Sequence, residues 1–326
     1  MKAIVMREFG GPEVLHIEEV PEPSPGAGEV KVCMYACGVN PNETYVRSGT
    51  YNFYKPELPY TPGYDGAGIV EEVGEGVTHL KAGDRVFLAT LLAKHSTGTY
   101  AEKIVCDADS VHHLPDDISF EEGASFGIPA MAAYRALFQR GQIKSGETAL
   151  IHGADGGVGS LAVQMAKAAG AKVIGASNTP EGKELILSLG AEATIDYLTE
   201  ENKGELMKLT DGSGPDLIVE FLANKNLQTD LDVIAEYGRI VVVGNRGTIE
   251  INPRSAMAKE ADIRAMALWN ARGNEYVESL KALEKMMMDG SIHAQVGKVL
   301  NLEEAALAHD LIISQHIPGK MILKIR

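Results

Sequence analysis

A chain of 326 residues exceeds one typical domain, and its 45% hydrophobic and 23% charged residues are ordinary for a globular protein with a large core. The net charge of −15 opposes nonspecific binding to nucleic acid and adsorption to anionic membranes, and no apolar run is long enough to span a bilayer. Cys33, Cys37 and Cys106 are too few and too scattered for a disulfide framework, and the short, charged start MKAIVMREFGG lacks the pattern of a signal peptide, so a reducing, cytoplasmic setting is expected.

Residues 1 to about 122 read as β-rich. Apolar runs at 3–6, 29–34, 68–73, 85–89 and 100–105 are separated by turn signals at 21–28, 61–63, 74–76 and 82–84, which predicts an antiparallel barrel or sandwich. A helical stretch follows at 119–139, opened by Phe120 and interrupted by Pro129. From residue 148 the pattern changes. Strands at 148–151, 172–176, 193–195, 216–221, 239–243 and 263–268 alternate with helices, which predicts an α/β, doubly wound parallel sheet of about six strands. A charged helix at 275–288, with 286–288 as core, and a second at 302–314 precede a strand at 320–325 that returns to the first sheet. The expected domains are 1–122, with 269–326 returning to it, and an inserted nucleotide-binding domain at 123–268. A ligand is expected in the cleft between them.

The stretch LIHGADGGVGS, 150–160, joins the first parallel strand to a helix whose apolar face is Val158, Leu161, Ala162, Met165, Ala166 and Ala169. Strand, glycine turn and helix open a dinucleotide-binding unit. Glycines let the backbone approach a pyrophosphate, and the helix N-terminus offers it unpaired N–H groups. The spacing, G-x-x-G-G-x-G, is not the standard G-x-G-x-x-G and also suits a tight turn with no ligand; the strand–helix units that follow favour the cofactor reading. Asp155 inside the turn is expected to cap the helix. The second strand ends Gly175-Ala176-Ser177 with no acid to bind a ribose 2′-hydroxyl. NADPH is therefore expected over NADH, with a hydrogen bond from Ser177 and charge from Lys183, which alternatively is a solvated helix lysine.

The segments FGGPEVL (9–15), ACGVNPNETYVRSGTY (36–51), LPYTPGYDGAG (58–68), GDRVF (83–87), AYRAL (133–137), GGVG (156–159), LANKNL (222–227), VVVGNRGTIEINPR (241–254) and GKMIL (319–323) span nearly the whole chain. In them the sequence resembles the zeta-crystallin-type quinone oxidoreductases of the medium-chain dehydrogenase/reductase superfamily. The resemblance implies a GroES-like β-barrel domain, a Rossmann domain that binds NADPH, a homodimer or homotetramer, and reduction of a small-molecule quinone.

Carried over by position, the resemblance puts Tyr45 in the nicotinamide pocket, with Asn40 and Tyr45 as the groups that orient the carboxamide and polarise a quinone carbonyl. It assigns Gly156, Gly157 and Val158 to the pyrophosphate, Gly175 to the second strand end, Tyr197 to the adenosine and Asn224 to the nicotinamide ribose. Val243, Gly244, Asn245 and Arg246 fall on the fifth-strand turn, and Met266, Ala267 and Leu268 on the sixth. Arg47 is open between a cleft cation and a structural role. Asn40 and Tyr64 stand where zinc-dependent relatives carry a Cys and a His, so no catalytic metal is expected. The same zinc-free fold also reduces activated C=C bonds in enones, enals and enoyl thioesters. The tyrosines Tyr45, Tyr51, Tyr54 and Tyr60 suit flat quinones.

Overall fold

The computed structural model describes residues 1–199, 202–271 and 273–326. The chain divides into two units, Met1–Ile128 with Ala294–Arg326, and Pro129–His293. The first unit begins with an antiparallel pair, β1 (Lys2–Val5) and β2 (His16–Glu19). The long strand β3 (Glu29–Gly38) leads into α1 (Pro41–Arg47), and β4 (Asp65–Val73), β5 (Arg85–Ala89), β6 (Lys103–Asp107), β7 (Val111–His113) and the short helix α2 (Phe120–Gly123) follow. β3 is the centre of this sheet, pairing antiparallel with β4 and β6. Its Val30, Val32, Met34 and Cys37 are fully buried with Val70, Val86, Leu88 and Ile104 in one apolar core.

The second unit takes most of α3 (Gly127–Tyr134), which runs on into π-helical turns at Arg135–Arg140. Strands and helices then alternate: β8 (Thr148–Ile151), α4 (Gly157–Ala168), β9 (Lys172–Ala176), α5 (Pro180–Ser188), β10 (Ala193–Ile195), α6 (Lys203–Leu209), β11 (Leu217–Glu220), α7 (Ala223–Val233), β12 (Arg239–Val242), α8 (Pro253–Lys259) and β13 (Asp262–Ala265). The six strands are parallel in the order β10-β9-β8-β11-β12-β13. This is the doubly wound order, with its switch point between β8 and β11. Continuous burial of Ala149, Leu150 and Ile151 and of Leu217, Ile218 and Val219 is what central parallel strands require. After α9 (Asn274–Met288), the chain supplies β14 (Val296–Asn301), α10 (Ala305–Ser314) and β15 (Lys320–Lys324) to the first unit. β15 pairs antiparallel with β3, Ile322 opposite Gly38, so the expected return of the last strand is met.

Three expectations change. Pro129 does not interrupt a helix: it lies in the first turn of α3, where its missing N–H costs nothing, and the break falls just before, at 124–126. Segment 269–293 belongs to the second unit rather than the first, because α9 is tied there by Arg135 Nη1 to Glu275 Oε2 (2.5 Å) and Gln139 Nε2 to Ser279 Oγ (2.9 Å). Of 286–288 only Met287 is core, and Met288 is exposed. Sequence periodicity also passed over α1, although Asn40, Pro41 and Glu43 spell a capping box with proline at the first helical position.

Candidate functional site

β8 ends at Ile151, and the chain turns through His152 to Gly156 before α4 begins. Gly156 is the N-cap of α4 and lends it no side-chain cap. The first N–H groups of the helix therefore have no intrahelical acceptor, and Gly156, Gly157 and Val158 are half-exposed. Gly159 lies against the turn: a Cβ there would sit 2.1 Å from the Gly153 carbonyl oxygen, so only glycine lets α4 start this close. A half-exposed, uncapped helix N-terminus edged by glycine backbone is an anion cradle.

The parallel sheet gathers the other expected cofactor residues on the same edge, because each follows the carboxyl end of a strand. Gly175 and Ser177 end β9, Tyr197 follows β10, Asn224 follows β11, Val243, Gly244, Asn245 and Arg246 follow β12, and Met266, Ala267 and Leu268 follow β13. The turns are tied to one another. Arg246 N–H donates to Asn224 Oδ1 (2.9 Å), Ala223 N–H to the Gly244 carbonyl (3.1 Å) and Val243 N–H to the Glu220 carbonyl (2.8 Å). Gly244 packs onto Phe221, whose carbonyl oxygen would lie 2.2 Å from a Cβ. Gly175 is buried with Ile186 and Ala154 where a side chain would be, so its smallness seats β9 beneath the glycine turn.

The 2′-phosphate residues are engaged differently from expectation. Asp155 does not cap α4; it is wholly buried, and its Oδ2 accepts from Ser177 Oγ at 2.8 Å. The Lys183 ammonium lies 2.9 Å from Asp196 Oδ1. Tyr197 is pushed up to about 12 by burial and then by the Asp155 charge.

In the first unit, Asn40 is buried and its amide is fully committed. Nδ2 donates to Glu43 Oε1 (3.0 Å) and Asp65 Oδ2 (2.8 Å), and Oδ1 accepts from the Lys320 ammonium, which also lies 3.1 Å from Asp65 Oδ2. Burial raises the Glu43 carboxyl to about 7, against hydrogen bonds from Asn40 and Tyr100. Tyr45, one turn along α1, is half-buried and its ring stacks on Tyr51 at 6.2 Å; its hydroxyl has no hydrogen-bond partner among the described residues. Tyr54 lies edge-on to Tyr60 at 6.4 Å, and the hydroxyls of Tyr60 and Tyr64 are 3.5 Å apart. Arg47 is buried, and its Nε donates to the Gly10 carbonyl at 3.2 Å.

Comparison with known proteins places these features. Residues 26–116 match the alcohol dehydrogenase GroES-like domain, and 157–285 match a family described as zinc-binding dehydrogenase. The quinone oxidoreductase of Sus scrofa is 44% identical over 325 residues, covering 99% of this chain and 97% of that one. The chain belongs to the quinone oxidoreductase family. Its GroES-like unit and its Rossmann-like parallel sheet are those of the medium-chain dehydrogenase/reductase superfamily. An Escherichia coli quinone oxidoreductase solved in complex with NADPH superposes with a TM-score of 0.86 at 32% identity, covering 99% and 100% of the two chains. A 2-haloacrylate reductase of a Burkholderia species is 32% identical over 330 residues, covering 98% of each.

Within that family the donor set at Asn40 and Tyr64 does not suit zinc. It offers an amide and a phenol rather than thiolate and imidazole, and the amide already holds the Lys320 cation. The one group of three potential ligand side chains that comes together among the described residues is elsewhere, and sequence reading missed it because its members are far apart in the chain. His152, Glu220 and Asp230 are all buried, with His152 Nε2 2.9 Å from Asp230 Oδ1 and 3.4 Å from Glu220 Oε2. Glu220 also accepts from Leu222 N–H and from Asn226 Nδ2 (3.0 Å). Burial alone would lower the imidazole pKa, but Asp230 and Glu220 together overcome it and raise His152 to about 9; burial raises Glu220 as well.

Two outcomes follow from these buried charges. Lys320→Met strands the Asp65 carboxylate and should cost about 3–5 kcal/mol in urea unfolding, with Asp65→Asn in the same chain recovering part of the loss; a cost below about 1 kcal/mol contradicts the pairing. His152 has a folded pKa above its unfolded value of 6.5, so its contribution is full below pH 6.5 and lost as pH rises through about 9, and Glu220 has the same sign. Unfolding free energy should fall from pH 6 to pH 9.5, and the double variant His152→Asn, Glu220→Gln should flatten that slope. An unchanged slope contradicts the assignment.

Proposed function

We propose that this chain is a zinc-independent, NADPH-dependent oxidoreductase that reduces small-molecule quinones. The observation that carries the reading is the uncapped, half-exposed N-terminus of α4 at Gly156, Gly157 and Val158, on the sheet edge that also carries the turns of Ser177, Tyr197, Asn224 and Arg246. The names of the pig and Escherichia coli relatives support quinone as acceptor and NADPH as donor.

NADPH, when bound, supplies the hydride; the protein's part is binding, orientation and charge. The N–H groups of Gly157 and Val158 would hold the diphosphate, Tyr197 would border the adenosine, and Asn224, Val243, Gly244, Asn245 and Arg246 would take the nicotinamide half, with Met266, Ala267 and Leu268 on the last turn. Gly175 and Asn40 act from behind. Gly175 seats the glycine turn, and Asn40 holds Glu43, Asp65 and Lys320 at the base of α1, which positions Tyr45. The Tyr45 hydroxyl donates to the acceptor oxygen as negative charge develops there. The finer expectations of a homodimer or homotetramer and a cytoplasmic location belong to the same proposal. Three free cysteines and the lack, among the described residues, of a helix long and apolar enough to cross a membrane accord with that location.

Reduction of an activated C=C bond is the second reading, favoured by the 2-haloacrylate reductase relative. A panel of quinones, enones, 2-haloacrylates and crotonyl-CoA, followed by NADPH oxidation, separates the two. Quinones should give the highest kcat/KM, and the quinone reading falls if an alkene acceptor exceeds them. Tyr45→Phe should lower kcat about tenfold or more with little change in KM for NADPH, as loss of a positioned proton donor does. An unchanged kcat removes that role.

A further inference from the structure

In a dinucleotide fold the end of the second strand senses the ribose 2′-position: a carboxylate there accepts from the 2′-hydroxyl of NADH and repels the 2′-phosphate of NADPH. Read by sequence alone, this strand end is neutral, since it closes on Ser177. In the folded chain it is not. Asp155 comes across from the glycine turn, 22 residues earlier, and its Oδ2 accepts from Ser177 Oγ at 2.8 Å. The carboxylate is wholly buried. It also lies against the first turn of α5, where a Cβ on Gly182 would be 2.1 Å from Asp155 Oδ2 and 2.3 Å from Ser177 Oγ. Tyr197, at the end of the neighbouring strand β10, feels the Asp155 charge.

The two residues that would favour a 2′-phosphate are both turned to other work. The Ser177 hydroxyl spends its proton on Asp155, and Lys183 is paired with Asp196. One carboxylate therefore occupies the strand end and removes its hydroxyl donor.

We infer that Asp155 is a determinant of coenzyme specificity, acting as the acid of the second strand end from a position on the glycine turn and narrowing the preference for NADPH over NADH. The inference rests on the proposed nucleotide site and sharpens it. The geometry also says why the acid is tolerated so near a diphosphate. Its charge is stabilised by the Ser177 hydroxyl and lies against the first turn of α5, where the helix N-terminus adds a favourable dipole.

The test is direct binding to the full chain, by calorimetry or by quenching of protein fluorescence, with NADPH and NADH and with the fragments 2′,5′-ADP and 5′-AMP. Asp155→Asn keeps the size and the acceptor for Ser177 while removing the charge; Asp155→Ser removes the charge and shortens the side chain. The wild-type dissociation constants for NADPH and NADH should lie within about fivefold of each other, and Asp155→Asn should shift their ratio about tenfold toward NADPH, as loss of one nearby charge in a partly buried site does. The fragment pair should shift in the same sense. Thermal unfolding of each variant checks that it is folded, and Asp155→Ser serves if Asp155→Asn is not. An unchanged ratio overturns the inference, and so does equal tightening of both nucleotides, which would place the effect on the diphosphate. Failure of the wild-type chain to bind either nucleotide overturns the proposed site itself, and the inference with it.

Discussion

The N-terminus of α4 is the constraint on which the second unit turns. A helix that begins directly after a buried strand, with a glycine at its cap and no side chain to satisfy its first N–H groups, carries an unmet demand for acceptors. Among the described residues the chain does not meet that demand internally. It surrounds it with features that keep it open: Gly159 lets the helix start close against the turn, Gly175 lets β9 pass beneath, and Asp155 is drawn aside onto Ser177. Because all six strands run parallel, every following turn is delivered to the same edge, so one sheet direction converts scattered sequence positions into a single row of candidate contacts.

Each unit also encloses a group of buried charges, and the two groups differ in how they are balanced. In the first, Asn40 joins Glu43, Asp65 and Lys320 at the start of α1, so a cation offsets a carboxylate. In the second, His152 faces two carboxylates, which hold the proton on its imidazole to higher pH against the effect of burial, while burial, and then the Asp230 charge, keeps Glu220 protonated to higher pH. Glu220 accepts from Leu222 with its side chain and from Val243 with its backbone. The ends of β8, β11 and β12 are thereby pinned together behind the candidate site. Such an arrangement contributes positional precision more than net stability, because desolvation offsets much of the attraction.

The parallel sheet was legible in the sequence because buried parallel strands are short, continuous apolar runs bounded by glycine and helix signals; Thr148–Ile151, Lys172–Ala176 and Ala193–Ile195 fall where expected. In the first unit β2, β7 and β14 were missed. β2 and β14 are half or more exposed and β7 is three residues long, so periodicity is weak. Pro129 reads as a breaker by residue type, but in the first turn of α3 its missing N–H has no intrahelical acceptor to lose. The glycine turn could be found from its spacing together with the strand and helix that flank it, but the partners of Asp155 could not, since Ser177 reaches it only through the pairing of β8 with β9. The same limit hid His152, Glu220 and Asp230. Full-length family likeness supplied the positions around β12 and β13, where no local motif would have marked them.

A diphosphate seated on the glycine turn is the point from which the rest follows. A crystal structure of the chain grown with NADPH should show diphosphate oxygens about 2.7–3.2 Å from the N–H groups of Gly157 and Val158. NADPH bound elsewhere, with those N–H groups left to water, would contradict it.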